Sequence, residues 1–206
     1  MSDDGDDHEN GAHEHGHDHH EHEGDHDHHA HDLEELGIAV LTVSSSRSIN
    51  EDPSGAAIAE LVEEAGHTVV VRELVGDDYD SVQDAVDRFV GREDTDCVVT
   101  TGGTGVTPDD VTVEAVEPLF EKELPGFGEL FRSLSVEDIG TRVVGTRATA
   151  GIADGVPVFC LPGSESAVRL AVDDIVVAEA PHLAGLARRE DDGKENDDGE
   201  ETDEGA

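Results

Sequence analysis

Three glycines fall within four positions of the run Thr100-Thr101-Gly102-Gly103-Thr104-Gly105-Val106-Thr107-Pro108-Asp109-Asp110. Glycine lets backbone N–H groups come close to an anion, and the threonine hydroxyls add donors. A helix expected shortly afterwards would turn its positive end toward the same place. The chemistry is capture of a phosphate-bearing ligand, although a tight structural turn uses the same residues. The run is neither a Walker loop, since no Gly-Lys-Ser/Thr occurs, nor the dinucleotide Gly-x-Gly-x-x-Gly spacing.

Carboxylates beside that loop change its chemistry. Asp109 and Asp110 would repel bound phosphates unless a divalent cation lay between, and carboxylates with phosphate oxygens suit Mg²⁺. The same pair at a helix N-terminus would also stabilise the helix dipole by ~0.3–1 kcal/mol. A second glycine loop, Leu161-Pro162-Gly163-Ser164, precedes another expected helix, where Ser164 could cap the helix or donate to a phosphate. A further acid, Asp77, stands in Leu74-Val75-Gly76-Asp77-Asp78.

These residues need elements to hold them. Gly37–Val43 reads as a buried strand, and Asp52-Pro53 as an N-cap followed by proline at the first helical position. Ile58, Leu61, Val62 and Ala65 then follow helical spacing until Gly66. A strand at Thr68–Val71 leads to a helix over Val82–Val90, and Cys97–Thr101 forms a third strand. Helices near Val113–Phe120 and Phe127–Ser135, an apolar stretch at Val143–Ala150 and a strand at Val156–Leu161 follow. A long helix from about Ser164 to Ala180 closes the domain. Strands alternating with helices predict an α/β fold: three α/β/α layers around a mostly parallel central sheet. Ligands of such sheets lie beyond the carboxyl ends of the strands, at the loops after Val43, Thr101 and Leu161.

The 206 residues carry 52 acids against 12 bases, a formal charge of −40. That balance excludes counterion-release binding to nucleic acid and attraction to an anionic membrane. No apolar run approaches ~18 residues, so no spanning helix is expected; the polar N-terminus has no hydrophobic stretch, so no secretory signal is expected either, and the cytoplasm is the expected location. Self-repulsion at this charge suggests adaptation to molar salt, where the Debye length is ~3 Å. Residues 1–32 hold 11 of the 13 histidines and no Lys or Arg, a low-complexity tail expected to be disordered and able to bind transition metals. Residues 190–206 read as a second, acidic disordered tail, leaving 33–189 as the folded domain. Cys97 and Cys160 sit in strand-like runs and are expected to be buried thiols.

Taken together, these residues resemble the molybdopterin adenylyltransferase (MoaB/Mog) family, in its MoaB-like branch. The likeness covers roughly Gly37 to Ala180. Its pieces are TGGTGVTPDDVT (Thr101–Thr112), KELPGFGELFRSLS (Lys122–Ser135) with Ile139-Gly140, TRATAG (Thr146–Gly151) and LPGS (Leu161–Ser164). Ser46 stands where many members have aspartate. The resemblance implies a molybdopterin-binding-like fold that transfers AMP from ATP to the terminal phosphate of molybdopterin, releasing pyrophosphate. Thr101, Gly102, Gly103, Thr104, Gly105, Gly163 and Ser164 would hold the ligand. Asp77 and Asp110 would be the catalytic carboxylates and would position Mg²⁺ and the triphosphate. It further implies hand-over of the product to the molybdenum insertase, and a homotrimer or hexamer. The alternative is a non-catalytic carrier that delivers molybdopterin to the insertase.

Overall fold

The computed structural model of the chain describes residues 32–192; the two predicted tails lie outside them, apart from Asp32 and residues 190–192. Six strands form one sheet in the order β2-β1-β3-β6-β5-β4. Strands β1 (Gly37–Val43), β2 (Thr68–Val75), β3 (Cys97–Thr101) and β6 (Val156–Leu161) run parallel, whereas β5 (Thr149–Ala153) and β4 (Lys122–Glu123) pair antiparallel at one border. Because β2 lies on one side of β1 and β3 on the other, the chain reverses its winding between β1 and β3. That is the switch point where a crevice opens beyond the strand ends.

The period of two in β1 assigns its side chains to two cores. Ile38 and Val40 pack with α1 (Pro53–Glu64), α4 (Pro125–Ile139), α5 (Glu165–Ala171) and α6 (Val177–Asp192). Ala39, Leu41 and Val43 face α2 (Tyr79–Val90) and α3 (Thr112–Val116) on the other side. This is the expected three-layer arrangement. Phe127 of α4 meets Phe159 of β6 edge-on at 5.2 Å between ring centroids; such a pair adds ~0.5–1.5 kcal/mol to its burial. Cys97 and Cys160 are free and fully buried, and burial pushes the Cys160 thiol up to about 12 and that of Cys97 higher still, so neither is a nucleophile at neutral pH.

Several elements depart from their predicted bounds. Strand β2 continues past Val71 to Val75, pairing with all of β1. The helix expected over Val113–Phe120 is α-helical only to Val116 and continues as a 3-10 turn, Glu117–Leu119, because Pro118 cannot donate to the α ladder. The apolar stretch Val143–Ala150 divides into the end of a 3-10 segment, Gly140–Gly145, and the start of β5.

The closing helix runs well past Ala180, and so past the boundary predicted at residue 189. It comprises α5, a π segment at Val172–Val176, and α6 with Pro181 inside it. Val168, Val172, Val176, Ala180 and Ala184 are all buried at spacings of four. In an ordinary helix a spacing of four drifts by about 40° per step, or about 160° over this run. The wider π turn absorbs part of that drift and keeps the stripe on the sheet. Burial of Ala180 and Ala184 carries the helix through the proline. Among the described residues, no helix is long and apolar enough to cross a membrane.

Candidate functional site

An open cleft of about 520 Å³ lies at the switch point. Its walls come from the loop after β1 (Val43, Ser44, Ser46, Arg47), the loop after β3 (Gly102–Gly105 and Asp110), Pro162-Gly163 after β6, and Arg142, Gly145 and Thr146. The three loops singled out by the strand ends therefore meet in one place.

The glycine loop needs its glycines for two separate reasons. Gly102 and Gly103 adopt positive φ, 98° and 64°, a region that side chains avoid. A Cβ on Gly102 would also sit 2.2 Å from the Val43 carbonyl, and one on Gly103 2.3 Å from Thr112 Oγ1. The β3 loop thus presses against the end of β1 with no room for a side chain. Thr101 lies beneath it, fully buried, its hydroxyl donating to the Pro162 carbonyl at 2.9 Å and tying the β3 loop to the β6 loop.

Asp110 stands at the edge of this cradle. Its Oδ2 accepts the Thr107 amide and hydroxyl, both at 2.7 Å. Burial would push the carboxyl up. Those two bonds, the Gly105 amide and the Arg147 charge outweigh it and hold Asp110 below the ordinary carboxylate range, ionised at neutral pH. Among the described residues, no three His, Cys, Asp or Glu side chains gather as a metal cage. One ionised carboxylate beside the glycine loop still fits Mg²⁺, which takes one or two protein carboxylates and completes its shell with water and, where present, phosphate oxygens.

The other predicted residues divide. Gly163 lines the cleft, but Ser164 faces an adjoining cavity of about 130 Å³ that shares Thr146 and Pro162 with it. The Ser164 hydroxyl accepts the Ala167 amide at 3.3 Å and caps α5. Asp77 is not among the lining residues: its carboxylate accepts the Ser45 amide at 2.7 Å, and its own amide donates to Ser45 Oγ at 2.9 Å, latching the β2 loop to the β1 loop.

Two arginines of the cleft complete its electrostatics. Arg47 donates to Ser54 Oγ at 3.2 Å and to the Gly163 carbonyl at 3.4 Å, and lies 3.8 Å from the buried Asp52 carboxylate. Arg142, absent from the predicted set, lines the cleft and has no hydrogen bond or ion pair with any described residue. It had no spacing signal, standing as the one charged residue of Gly140–Gly145, between Thr141 and Val143.

A mostly parallel sheet covered on both faces, with a glycine-lined cleft at its switch point, defines an α/β fold of the class whose ligands lie beyond the strand ends. Comparison with known proteins narrows that class. The family described as "Probable molybdopterin binding domain" matches residues 39–182. Molybdenum cofactor biosynthesis protein B of Bacillus subtilis (strain 168) is 45% identical over 152 residues, 73% of this chain and 89% of its own. The protein of that name from Escherichia coli (strain K12) is 41% identical over 151 residues, 73% and 87% of the two chains. Among solved structures, the tungsten cofactor synthesizing protein MoaB from Pyrococcus furiosus superposes with a TM-score of 0.69 at 41% identity, covering 76% of this chain and 99% of its own. The chain belongs to the molybdopterin-binding domain family of molybdenum cofactor biosynthesis.

Proposed function

We propose that this protein is a molybdopterin adenylyltransferase. A terminal phosphate oxygen of molybdopterin attacks the α-phosphorus of ATP; the new P–O bond forms as the bond to the β-phosphate oxygen breaks, and pyrophosphate leaves. The attacking phosphate is already ionised, so no general base is required. Catalysis is then mostly orientation and stabilisation of charge.

The observation that carries this reading is the juxtaposition, in one cleft, of the Gly102–Gly105 cradle, Asp110 and Arg142. The Gly103 and Thr104 amides, free of described partners, would take phosphate oxygens. Arg142 would offset triphosphate charge in a strongly acidic protein. Asp110 would hold Mg²⁺, which when bound supplies charge neutralisation between the phosphates. Hand-over to the metal insertase and assembly as a homotrimer or hexamer belong to the same proposal.

A second reading, a carrier that binds molybdopterin without turnover, is favoured by Asp77, whose carboxylate is committed to Ser45 outside the cleft lining. The test is adenylylation of purified molybdopterin by the wild type and Asp110→Ala, with ATP, Mg²⁺ and molar KCl. The expected result is wild-type turnover that falls at least ~100-fold in the variant, about 2.7 kcal/mol of transition-state stabilisation. Pterin binding without turnover in the wild type would leave the carrier.

A further inference from the structure

The carbonyl oxygens of the glycine loop are accounted for one by one, by two residues. Thr112 Oγ1 donates to the Gly102 carbonyl at 2.8 Å, and the Thr112 amide to that of Gly103 at 3.0 Å. The Arg147 amide donates to the Thr104 carbonyl at 3.0 Å, and its Nε to that of Gly105 at 2.6 Å. Arg147 Nη2 continues to the Asp110 carbonyl at 3.0 Å, and the guanidinium is braced by Glu114.

A trans peptide is planar, with its C=O and N–H pointing opposite ways. Fixing the carbonyls of Gly102, Gly103 and Thr104 therefore fixes the amides of Gly103, Thr104 and Gly105 toward the other side. Gly103, Thr104 and Gly105 all line the cleft, whereas Arg147 and Thr112 do not. Arg147 instead lines a neighbouring cavity, with Glu117 and Arg132, that meets the cleft only at Thr146.

From this geometry we infer that Arg147, with Thr112, is a positioning residue: it touches no ligand, but by holding the loop's carbonyls from behind it aims the amide donors, and Asp110, into the cleft. What matters is the planar fork. One guanidinium reaches the Gly105 and Asp110 carbonyls and Glu114 together, in directions a lysine ammonium cannot match. The inference rests on the phosphate-binding reading of the loop and gives TRATAG a physical role within it.

The test is binding of inorganic pyrophosphate to the full chain by calorimetry, in molar KCl with Mg²⁺, beside thermal melts. Arg147→Lys keeps the charge and loses the fork, and should weaken binding at least ~10-fold, as loss of preorganised donors does elsewhere. Thr112→Val, nearly isosteric, should weaken it about 3-fold or more by freeing the Gly102 carbonyl. Arg169→Ala removes an exposed cation paired with Glu60 and Glu165 and should stay within about 2-fold, since molar salt screens distant charge. A merely structural role would lower the melting temperature or the active fraction and leave the affinity of folded molecules unchanged.

Arg147→Lys binding within about 3-fold of wild type overturns the inference while leaving the proposed function standing. If Arg147→Lys does not fold, Thr112→Val decides in its place, and wild-type affinity there overturns it. A wild type that binds no pyrophosphate overturns both.

Discussion

Asp110 and Arg142 face the same cleft but differ in how they are held. Asp110 is locked by Thr107, whereas Arg142 has no hydrogen bond or ion pair with any described residue. A charge-assisted hydrogen bond is worth about 1.5–3 kcal/mol. Arg142→Ala is therefore expected to weaken ATP binding about 10-fold or more, with the melting temperature unchanged; nucleotide titration beside a thermal melt checks both. Glycine spacing marks the loop in the sequence, but spacing treats Asp109 and Asp110 alike, and only the family resemblance singles out Asp110. Arg142 is not legible, because one cation between Thr141 and Val143 has no periodicity to mark it. Nor can the sequence say where the Asp77 carboxylate points; the bond it accepts from the Ser45 amide, and the one the Asp77 amide donates to Ser45 Oγ, depend on how the β1 and β2 loops meet.

Among the elements, helix starts are the most legible. The Asp52 side chain accepts the Gly55 amide at 3.0 Å as the cap of α1, with Pro53 in the first turn, as the dipeptide predicts. What the dipeptide does not convey is the rest of the Asp52 environment. The buried carboxylate also accepts Thr42 Oγ1 at 2.7 Å and Arg72 Nη2 at 2.9 Å, joining α1 to β1 and β2. Removing one partner of a buried pair costs about 3–5 kcal/mol. Asp52→Ala should lower the melting temperature by roughly 6–20 °C at about 2–4 °C per kcal/mol. Burial alone would raise the Asp52 carboxyl; the bonds from Arg72, Gly55 and Thr42 outweigh it and hold it below its ordinary value. The sign follows: its stabilisation is complete above the unfolded value near 4 and is lost as pH falls through the lower folded value. Wild type and Asp52→Ala melts should therefore begin to converge only as pH falls below about 4, and most closely below the lower folded value. Strand β4, two residues long, is unreadable, since alternation needs more length than that, and β5 is hidden in a stretch that also holds a 3-10 segment.

For the whole molecule, the dominant quantity is the charge of −40. Most of the described arginines are already paired with acids, as in Arg88–Glu73, Arg92–Asp94 and Arg169–Glu60, so repulsion among the remaining carboxylates is met mainly by counterions. Raising KCl from about 0.1 M to about 1 M shortens the Debye length from ~10 Å to ~3 Å. The melting temperature is expected to climb steeply over that range. A flat profile would mean that the acidic surface imposes no folding penalty. Composition makes this property legible from the sequence, whereas the sheet order, and with it the meeting of three distant loops, emerges only from the packing of both faces.

The π segment at Val172–Val176 makes the chain sensitive to its own residue count. A single-residue insertion there, in a turn already widened by one residue, would rotate everything after it by about 100°. Glu179 and Leu183 would swing toward the positions that Ala180 and Ala184 now fill. Insertions tolerated in the exposed loops would be rejected in this stretch, whereas a relative one residue shorter there could close the turn into an ordinary one and keep the same stripe on the sheet.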